Sequence, residues 1–399
     1  MSRIDALIAE LCPEGVGFKE LQELFIIKNG YTPSTANKAY WADGTVPWFR
    51  MEDIRKNGRM LSESLQRITE DAVKGGRLFP ANSIIISTLA TIGEHALITV
   101  PHLANQQLTS LSLKDEFIER LDMKFVFYYC FQLAKWCRDH TNSASLASVE
   151  MNGFKKFRFP IPPLEAQREI VKVLDTFTEL EAELEAELEA RRRQYHHYRD
   201  ALLKLDGQSG LGVMDDLVAK LCPEGVEFKT VGAIVEVVPT AKGVKRQDYS
   251  AGSLFPIVDQ GQSLVAGYTD DKSIVVAPGE YVVFGDHTRA VKWVNFAFAP
   301  GADGTKVLRA VSEVLPKFAY YALSNLDITS RGYNRHWTIL RELRIPIPPL
   351  AIQRDIVAIL DRFDALVNDL SSGLPAEIAA RRRQYEHYRN RLLTFREAS

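Results

Sequence analysis

The sequence predicts an α+β protein that uses one architectural plan twice, with two globular mixed α/β segments, two long helices and an internal pseudo-two-fold repeat. Three observations carry this expectation. Long blocks recur in the same order in the two halves of the 399-residue chain. Between them lie segments rich in β-branched and aromatic residues, and the blocks that follow those segments place apolar residues at helical spacing.

Each copy opens on a short amphipathic run, IDALIAE or MDDLVAK, and continues into LCPEGV at 11–16 and 221–226. The Pro and Gly of that phrase mark a turn. The inserts that follow, Gly30 to Gly153 and Gly232 to Leu343, share little sequence. Both contain runs such as SIIIST, SIVVA and YVVFG, bounded by Gly, Pro, Asn and Asp, which read as strands. A constant frame around two different inserts fits a protein that does one job twice while choosing two different targets.

The frame resumes with FPIPPLEAQREIVKVLD at 159–175 and IPIPPLAIQRDIVAILD at 345–361, and closes with RRRQYHHYRDALL at 191–203 and RRRQYEHYRNRLL at 381–393. Pro163 and Pro349 stand one residue before the helical pattern, where a missing N–H costs little. Val171, Leu174, Phe177, Leu180, Leu184 and Leu188 step by three or four residues, and Val357, Leu360, Phe363, Leu366, Leu370 and Leu374 step identically. Such stripes keep one face apolar and suit two helices that pack as a coiled coil. From Leu164 to Leu203 the first helix would extend roughly 60 Å. The second copy has 31 positions from Leu350 to Arg381 where the first has 27 from Leu164 to Arg191, and it contains SSGLP, where Pro375 is expected to kink or interrupt the helix.

Inside the first helix the phrase LEAE repeats, so one unit more or less changes the helix by about one turn, roughly 6 Å, while almost preserving its rotational phase. The glutamates at 179, 181, 183, 185, 187 and 189 run into Arg191–Arg193 and form i,i+4 pairs such as Glu187 with Arg191. The strip reads as a solvated acidic face; the sharper alternative makes Glu183 and Glu187 a docking strip for another polypeptide. The near-invariant RRRQY blocks read as helix-end structure combined with subunit docking through Arg191, Arg192, Tyr195, Arg381, Arg382 and Tyr385.

Composition bounds the function. The net charge is −2, but Val16–Arg158 carries 18 Lys+Arg against 15 Asp+Glu and Val226–Arg344 carries 14 against 12, leaving −7 for the remainder. The inserts are thus mildly basic, which permits nucleic-acid binding without demanding it. Asp5, Glu10 and Glu14 argue against a signal peptide, and nothing approaches a membrane span. Cys12, Cys130, Cys137 and Cys222 form no CxxC pair and read as reduced thiols. The chain has no NPPY or DPPY methyltransferase motif, no GxGxxG turn and no P-loop; GADGTK at 301–306 has the wrong spacing. The eight histidines make no metal-like cluster, and FGDHTR reads as a DNA-contact loop or a structural turn rather than a catalytic group.

Taken together, the duplicated PIPPL helix starts, the LEAE repeat leading into RRRQYHHYRD, GLPAEIAARRRQYEHYR, and the insert phrases TPSTANKAYWADGTVPWFRMEDI, FGDHTR, GADGTKVL and GYNRHW resemble the specificity (S) subunits of type I restriction-modification enzymes over essentially the whole chain. The resemblance implies two target-recognition domains, at 1–158 and 207–344, separated by antiparallel conserved spacer helices at 159–206 and 345–399. Each domain would read half of a split, asymmetric DNA site. It also implies a non-catalytic prokaryotic, cytoplasmic subunit with no cofactor of its own. Two adenine methyltransferase subunits and the restriction/translocase subunits would bind it, and these partners would use S-adenosylmethionine, ATP and Mg. Alternative readings are the specificity partner of a related two-subunit methyltransferase/nuclease, and a coiled-coil scaffold whose inserts bind protein.

Arg reads guanine and Asn or Gln reads adenine through paired hydrogen bonds, while Lys, Ser and Thr hold phosphates. On that chemistry the candidate DNA contacts of the first insert are Tyr31, Thr32, Ser34, Trp48, Arg50, Asn105, Gln106 and Ser145. Those of the second are Lys242, Lys245, Arg246, Gln260, Gln262, His287, Arg289, Lys306, Arg331, Arg335 and His336. Duplicating one LEAE unit is expected to lengthen the unspecified gap of the target and leave both half-sites unchanged, as read by mapping the methylated motif; altered bases within a half-site would contradict the reading of the repeat as a spacer.

Overall fold

The computed structural model describes residues 9–10, 12–142, 147–205, 213–252, 254–302, 304–329, 332 and 335–398. The chain forms two compact units, one of Met1–Glu183 with Ala379–Ser399 and the other of Leu184–Ile378. Each unit therefore combines its own insert with the RRRQY tail of the other copy.

In the first unit the LCPEGV phrase makes the expected turn. The Gly15 N–H donates to the Cys12 carbonyl at 3.1 Å, and Gly15 takes φ +91°, which only glycine adopts readily. Strand β1 (Gly17–Glu20) then pairs antiparallel with β12 (Arg158–Ile161), which brackets the insert. Inside lie β2 (Phe25–Asn29), β3 (Val46–Phe49), β4 (Met60–Leu61), β5 (Arg67–Ile68), β6 (Ser83–Ser87), β7 (His95–Ile98), β8 (Leu103–Ala104), β9 (Leu108–Leu113), β10 (Thr141–Asn142) and β11 (Ser148–Val149). They build a five-stranded sheet of order β2-β9-β6-β7-β4, a three-stranded sheet β5-β3-β8 and a small hairpin of β10 and β11. Helix α1 (Met123–Asp139) buries Phe125, Tyr128 and Leu133 against the larger sheet.

The second unit repeats this topology from unlike residues. Its strands are β13 (Glu227–Thr230), β14 (Val235–Val237), β15 (Phe255–Val258), β16 (Gly267–Thr269), β17 (Tyr281–Gly285), β18 (Val291–Val294), β19 (Ala299–Pro300), β20 (Thr305–Ala310) and β21 (Arg344–Ile347). The pair β13-β21 matches β1-β12, the order β14-β20-β17-β18 matches β2-β9-β6-β7, and β16-β15-β19 matches β5-β3-β8. The parallel pairings also correspond, Phe49 opposite Ala104 in one unit and Val258 opposite Pro300 in the other.

Helix α2 (Leu164–Lys204) is continuous over 41 residues. The expected second long helix is two helices, α4 (Leu350–Asn368) and α5 (Leu374–Leu392). Asp369 makes the break: its carboxylate accepts from the Ser371 N–H at 2.7 Å and from the Ser371 and Ser372 hydroxyls. A side chain at Gly373 would meet the Ala365 carbonyl at 2.5 Å, so the break needs glycine. Pro375 lies in the first turn of the helix that restarts, where it is tolerated.

The helix faces also depart from the simple stripe. In the first unit the start of α2 packs antiparallel on the end of α5, with Phe177 5.5 Å from Tyr388 and 6.2 Å from Tyr385 and with Arg382 Nε 2.6 Å from Glu181. In the second, Phe363 of α4 packs on Tyr198 at 5.3 Å and Tyr195 at 6.3 Å, both from the end of α2. The tyrosines cover the phenylalanines of the two stripes, and the leucine three residues on in each is left exposed. Val171, Leu174, Leu360 and Leu374 are buried, whereas Leu180 is 42% exposed, Leu366 38% and Leu370, in the break, 83%. Leu184, Leu188, Phe177, Val357 and Phe363 are half-buried.

One polar contact is duplicated atom for atom. The fully buried amide of Gln167 accepts from the Asp122 N–H at 2.8 Å and donates to the carbonyls of Arg120 and Pro162 at 2.8 and 2.7 Å. Gln353 accepts from the Leu315 N–H at 2.8 Å and donates to the carbonyls of Glu313 and Pro348 at 3.0 and 2.8 Å. Beside them Asp175 accepts from Tyr128 and Lys124 at 2.6 and 2.7 Å. Asp361 accepts from Tyr321 at 2.6 Å and pairs with Lys317 at 2.9 Å; Tyr321 and Lys317 belong to helix α3 (Pro316–Ser324). Each arrangement locks the insert helix to the PIPPL turn. Among the described residues no helix is long and apolar enough to cross a membrane, and all four cysteines are free thiols. Gln167→Leu should destabilise the first unit by on the order of 3 kcal/mol, because three backbone groups lose their partner; hydrogen exchange should show the loss there and not in the second unit, and a change below about 1 kcal/mol would contradict the assignment.

Candidate nucleic-acid interface

The loops that differ most between the units sit at matching places in the topology. In both, the strand leaving the larger sheet crosses close to the short parallel pair. A Cβ on Gly30 would lie 2.2 Å from the Ala104 carbonyl, and one on Gly243 2.4 Å from the Gly301 carbonyl. Tyr31 N–H then donates to Ala104 at 2.8 Å and Val244 N–H to Pro300 at 2.9 Å. This crossing positions Thr32 and Ser34 in one unit and Lys242, Lys245 and Arg246 in the other; all five are exposed.

In the first unit the structure gathers Thr32, Trp48 and Arg50 around a surface pocket of about 450 Å³, shared with Lys38, Trp41 and Gln66. Trp48 is a wall of this pocket rather than a free reader: it is buried, its indole N–H donates to the Tyr31 carbonyl at 3.1 Å, and Trp41 meets it edge-on at 4.9 Å. The Arg50 guanidinium lies 5.5 Å from the Trp48 ring and 3.3 Å from Glu52, and its buried Nε has no hydrogen-bond partner among the described residues. Gln106 is exposed and bonded to the Thr32 hydroxyl.

Two expected contacts of this unit are structural. The Tyr31 hydroxyl donates to Ala72 at 3.2 Å and accepts from the Lys74 N–H at 2.6 Å, which fills it. Asn105 is buried and accepts from the Gln107 N–H at 3.2 Å, capping its own turn. Ser145 lies outside the described residues. Trp41, Lys38 and Gln66 belong to the pocket although the sequence reading passed over them; Lys38 and Trp41 stand in the quoted phrase NKAYW.

In the second unit the hairpin between β17 and β18 meets the loop after β15. Gln260 Oε1 accepts from the His287 N–H at 3.2 Å, and its carbonyl accepts from the Thr288 hydroxyl. A Cβ on Gly304 would meet His287 at 2.6 Å, so the GADGTK turn closes on the same point. Under the loop, buried Lys292 donates to the Asp259 carbonyl at 2.7 Å, and Asp259 also accepts from the Gly261 N–H at 2.8 Å. Burial pulls the Lys292 ammonium below its ordinary pKa against the opposing pull of Asp259. Gln262 and Arg335 are exposed, and Lys306 is half-buried opposite Phe284. The Arg289 guanidinium donates from Nη1 to the Ile328 carbonyl at 2.7 Å.

His336 does not reach this surface. It is 0% exposed, its N–H and ring Nδ1 lie 2.8 and 2.9 Å from the Asp286 carbonyl, and the Asp286 carboxylate accepts from Trp337 N–H at 2.7 Å. The FGDHTR aspartate is thus a structural cap. Arg331 lies outside the described residues.

The helix residues expected to dock partners divide similarly. Tyr195 is buried and Tyr385 half-buried in the packing described above, and Arg382 is paired with Glu181. Arg191 bonds Gln194 at 3.0 Å and Glu187 at 3.4 Å, and Arg381 bonds Gln384 at 3.2 Å. Glu183 and Arg192 are exposed. Among the described residues no group of acidic, Cys and His side chains is arranged to hold a metal.

Two buried histidines of the first unit, His95 against Phe127 and Phe131 and His102 between Phe49 and Phe79, are held neutral by burial. His95 is lowered to about 3, and His102, edge-on to Phe49 and Phe79, to about 4. The unfolded chain takes up these protons near pH 6.5 and the folded unit does not, so their stabilising effect is complete above pH 6.5 and lost as pH falls toward 4. Each should cost on the order of 1 kcal/mol per pH unit in that window. Hydrogen exchange between pH 7 and pH 5 should therefore show the first unit loosening, and unchanged protection would contradict it.

The family model for the type I restriction modification DNA specificity domain matches residues 13–190 and again 223–380. The chain is 40% identical over 376 residues to the type I restriction enzyme EcoprrI specificity subunit of Escherichia coli, covering 88% of each. It is 30% identical over 303 residues to a putative type I restriction enzyme specificity subunit of Haemophilus influenzae, covering 69% of this chain and 73% of that one. Among solved structures it resembles a type I restriction-modification S subunit from M. genitalium, with TM-score 0.55, 16% identity and coverage of 94% and 96%. A chain from a study of type I R-M complex assembly gives TM-score 0.59, 17% identity and coverage of 96% and 98%.

Proposed function

We propose that this chain, which belongs to the type I restriction modification DNA specificity family, recognises a split, asymmetric DNA site with one half read by each unit, and is itself non-catalytic. The observation that carries this reading is the contrast between frame and loops. The two units share sheet order, the buried glutamine and the tyrosine–aspartate contact, yet present Trp41, Trp48 and Arg50 at one set of loops and Gln260, His287 and Arg289 at the other. Different donors on a common scaffold select different bases.

Chemistry then belongs to partners. Two adenine methyltransferase subunits bind the duplicated frame, restriction subunits join them, and S-adenosylmethionine, ATP and Mg are used by those subunits. Leu180 and Leu366, exposed at equivalent steps of the two stripes, are suited to the same partner surface used twice. Isolated exposed leucines are common, and the repeat is what singles these out.

The test is a map of N6-methyladenine across the source genome with the gene intact and deleted. A split motif with a fixed gap should vanish on deletion; an unchanged methylation map would contradict the proposal. Leu180→Glu should lower the bound methyltransferase subunits from two to one per chain, and Leu180→Glu with Leu366→Glu should remove both, as read by the mass of the purified complex. Retention of both by the double variant would exclude these leucines as docking contacts.

A further inference from the structure

The duplicated hairpin supplies an internal control for one residue. In the first unit the Ser87 N–H donates to the Glu94 carbonyl at 2.7 Å and the Gly93 N–H to the Ser87 carbonyl at 2.9 Å. In the second the Gly285 N–H donates to the Ala290 carbonyl at 2.8 Å and the Arg289 N–H to the Gly285 carbonyl at 2.7 Å. Arg289 therefore occupies the position of Gly93. Both are left-handed, Gly93 at φ +89° and Arg289 at φ +64°. Glycine takes that conformation freely, and an arginine there is strained. The first hairpin has its own left-handed non-glycine residue, Ala90 at φ +65°, but it uses glycine at this shared position, so the strain at Arg289 directs attention to that side chain.

That side chain has a defined orientation. Nη1 is fixed on the Ile328 carbonyl at 2.7 Å, although residue 289 as a whole is exposed. A guanidinium held at one nitrogen keeps its Nε–Nη2 edge in a set plane, and that edge carries the paired donors that match guanine N7 and O6. Resting on the proposed DNA-reading role of this unit, the geometry points to Arg289 as the residue that reads a guanine in the second half-site, with the Ile328 carbonyl as its positioning group. The same fork also matches two phosphate oxygens, and the two contacts differ in outcome: losing a guanine contact relaxes one base position, whereas losing a phosphate contact weakens all sequences alike.

The full-length chain, produced with its methyltransferase subunit, tests this through the motif it methylates and the melting temperature of the complex. The unaltered chain must first methylate a split motif; if it does not, the proposed function fails and not this inference alone. Arg289→Gly should leave melting unchanged or slightly raised and relax one G·C position of the second half-site, with discrimination there falling about 5- to 150-fold and the first half-site intact. Arg289→Lys, which keeps the charge but loses the fork, should relax the same position. An unchanged motif in both variants would overturn the assignment. So would equal weakening on all sequences with a shallower salt dependence, which marks a phosphate contact, or a lower melting temperature with loss of the whole motif, which marks a structural role.

Discussion

The buried amides of Gln167 and Gln353 are the contacts on which the rest of each unit depends. Each joins three segments: the PIPPL turn, the first turn of the frame helix and the backbone that leads into the insert helix. Removing water from an amide is favourable only when its donors and acceptor are satisfied, and here backbone groups satisfy them at 2.7–3.0 Å. Because the contact is made to backbone, the insert can change its side chains without disturbing its own attachment. The tyrosine–aspartate pairs beside the glutamines fix the direction in which the insert helix leaves.

The repeated tail follows from the same need to close each unit. A helix bearing Phe177 or Phe363 has an apolar face that must be covered; in the first copy the RRRQY block continues the same helix, which cannot fold back on it, and in the second it lies in the separate helix α5. The tail of the other copy covers that face, through Tyr385 and Tyr388 in one unit and Tyr195 and Tyr198 in the other. The first unit is sealed further where the chain end returns to the LCPEGV turn, with hydrogen bonds of 2.9 Å from Val16 to Arg396 and from Ala398 to Val16. The duplicated RRRQY block thus has an intramolecular role in addition to any surface it offers to partners.

Much of this was legible in the sequence, and the gaps have physical reasons. The repeat, the turn glycines and the long first helix followed from order and spacing, and the family from the resemblance of the quoted motifs. The shared topology of the inserts did not, because strands of unlike composition can form one sheet order; the phrases KFVFYY and KFAYYA, which supply Lys124, Tyr128, Lys317 and Tyr321, were the available signal. Helical periodicity showed that an apolar face existed but not which helix covers it, so Leu180 and Leu366 were read as interior. In the loops, residue type named donors without saying where they point: Arg50 and Gln262 lie at the candidate surface, whereas Gln260, His336, Asn105 and Tyr31 satisfy backbone groups.

Each unit is completed by the other copy's tail. Hydrogen exchange on the chain lacking Ala379–Ser399 tests it most directly. The account predicts that amides of the first unit's larger sheet and of the insert helix carrying Tyr128 lose protection while those of the second unit keep theirs. Full protection in both units, with only the binding of other subunits lost, would contradict it and return the tail to a docking role alone.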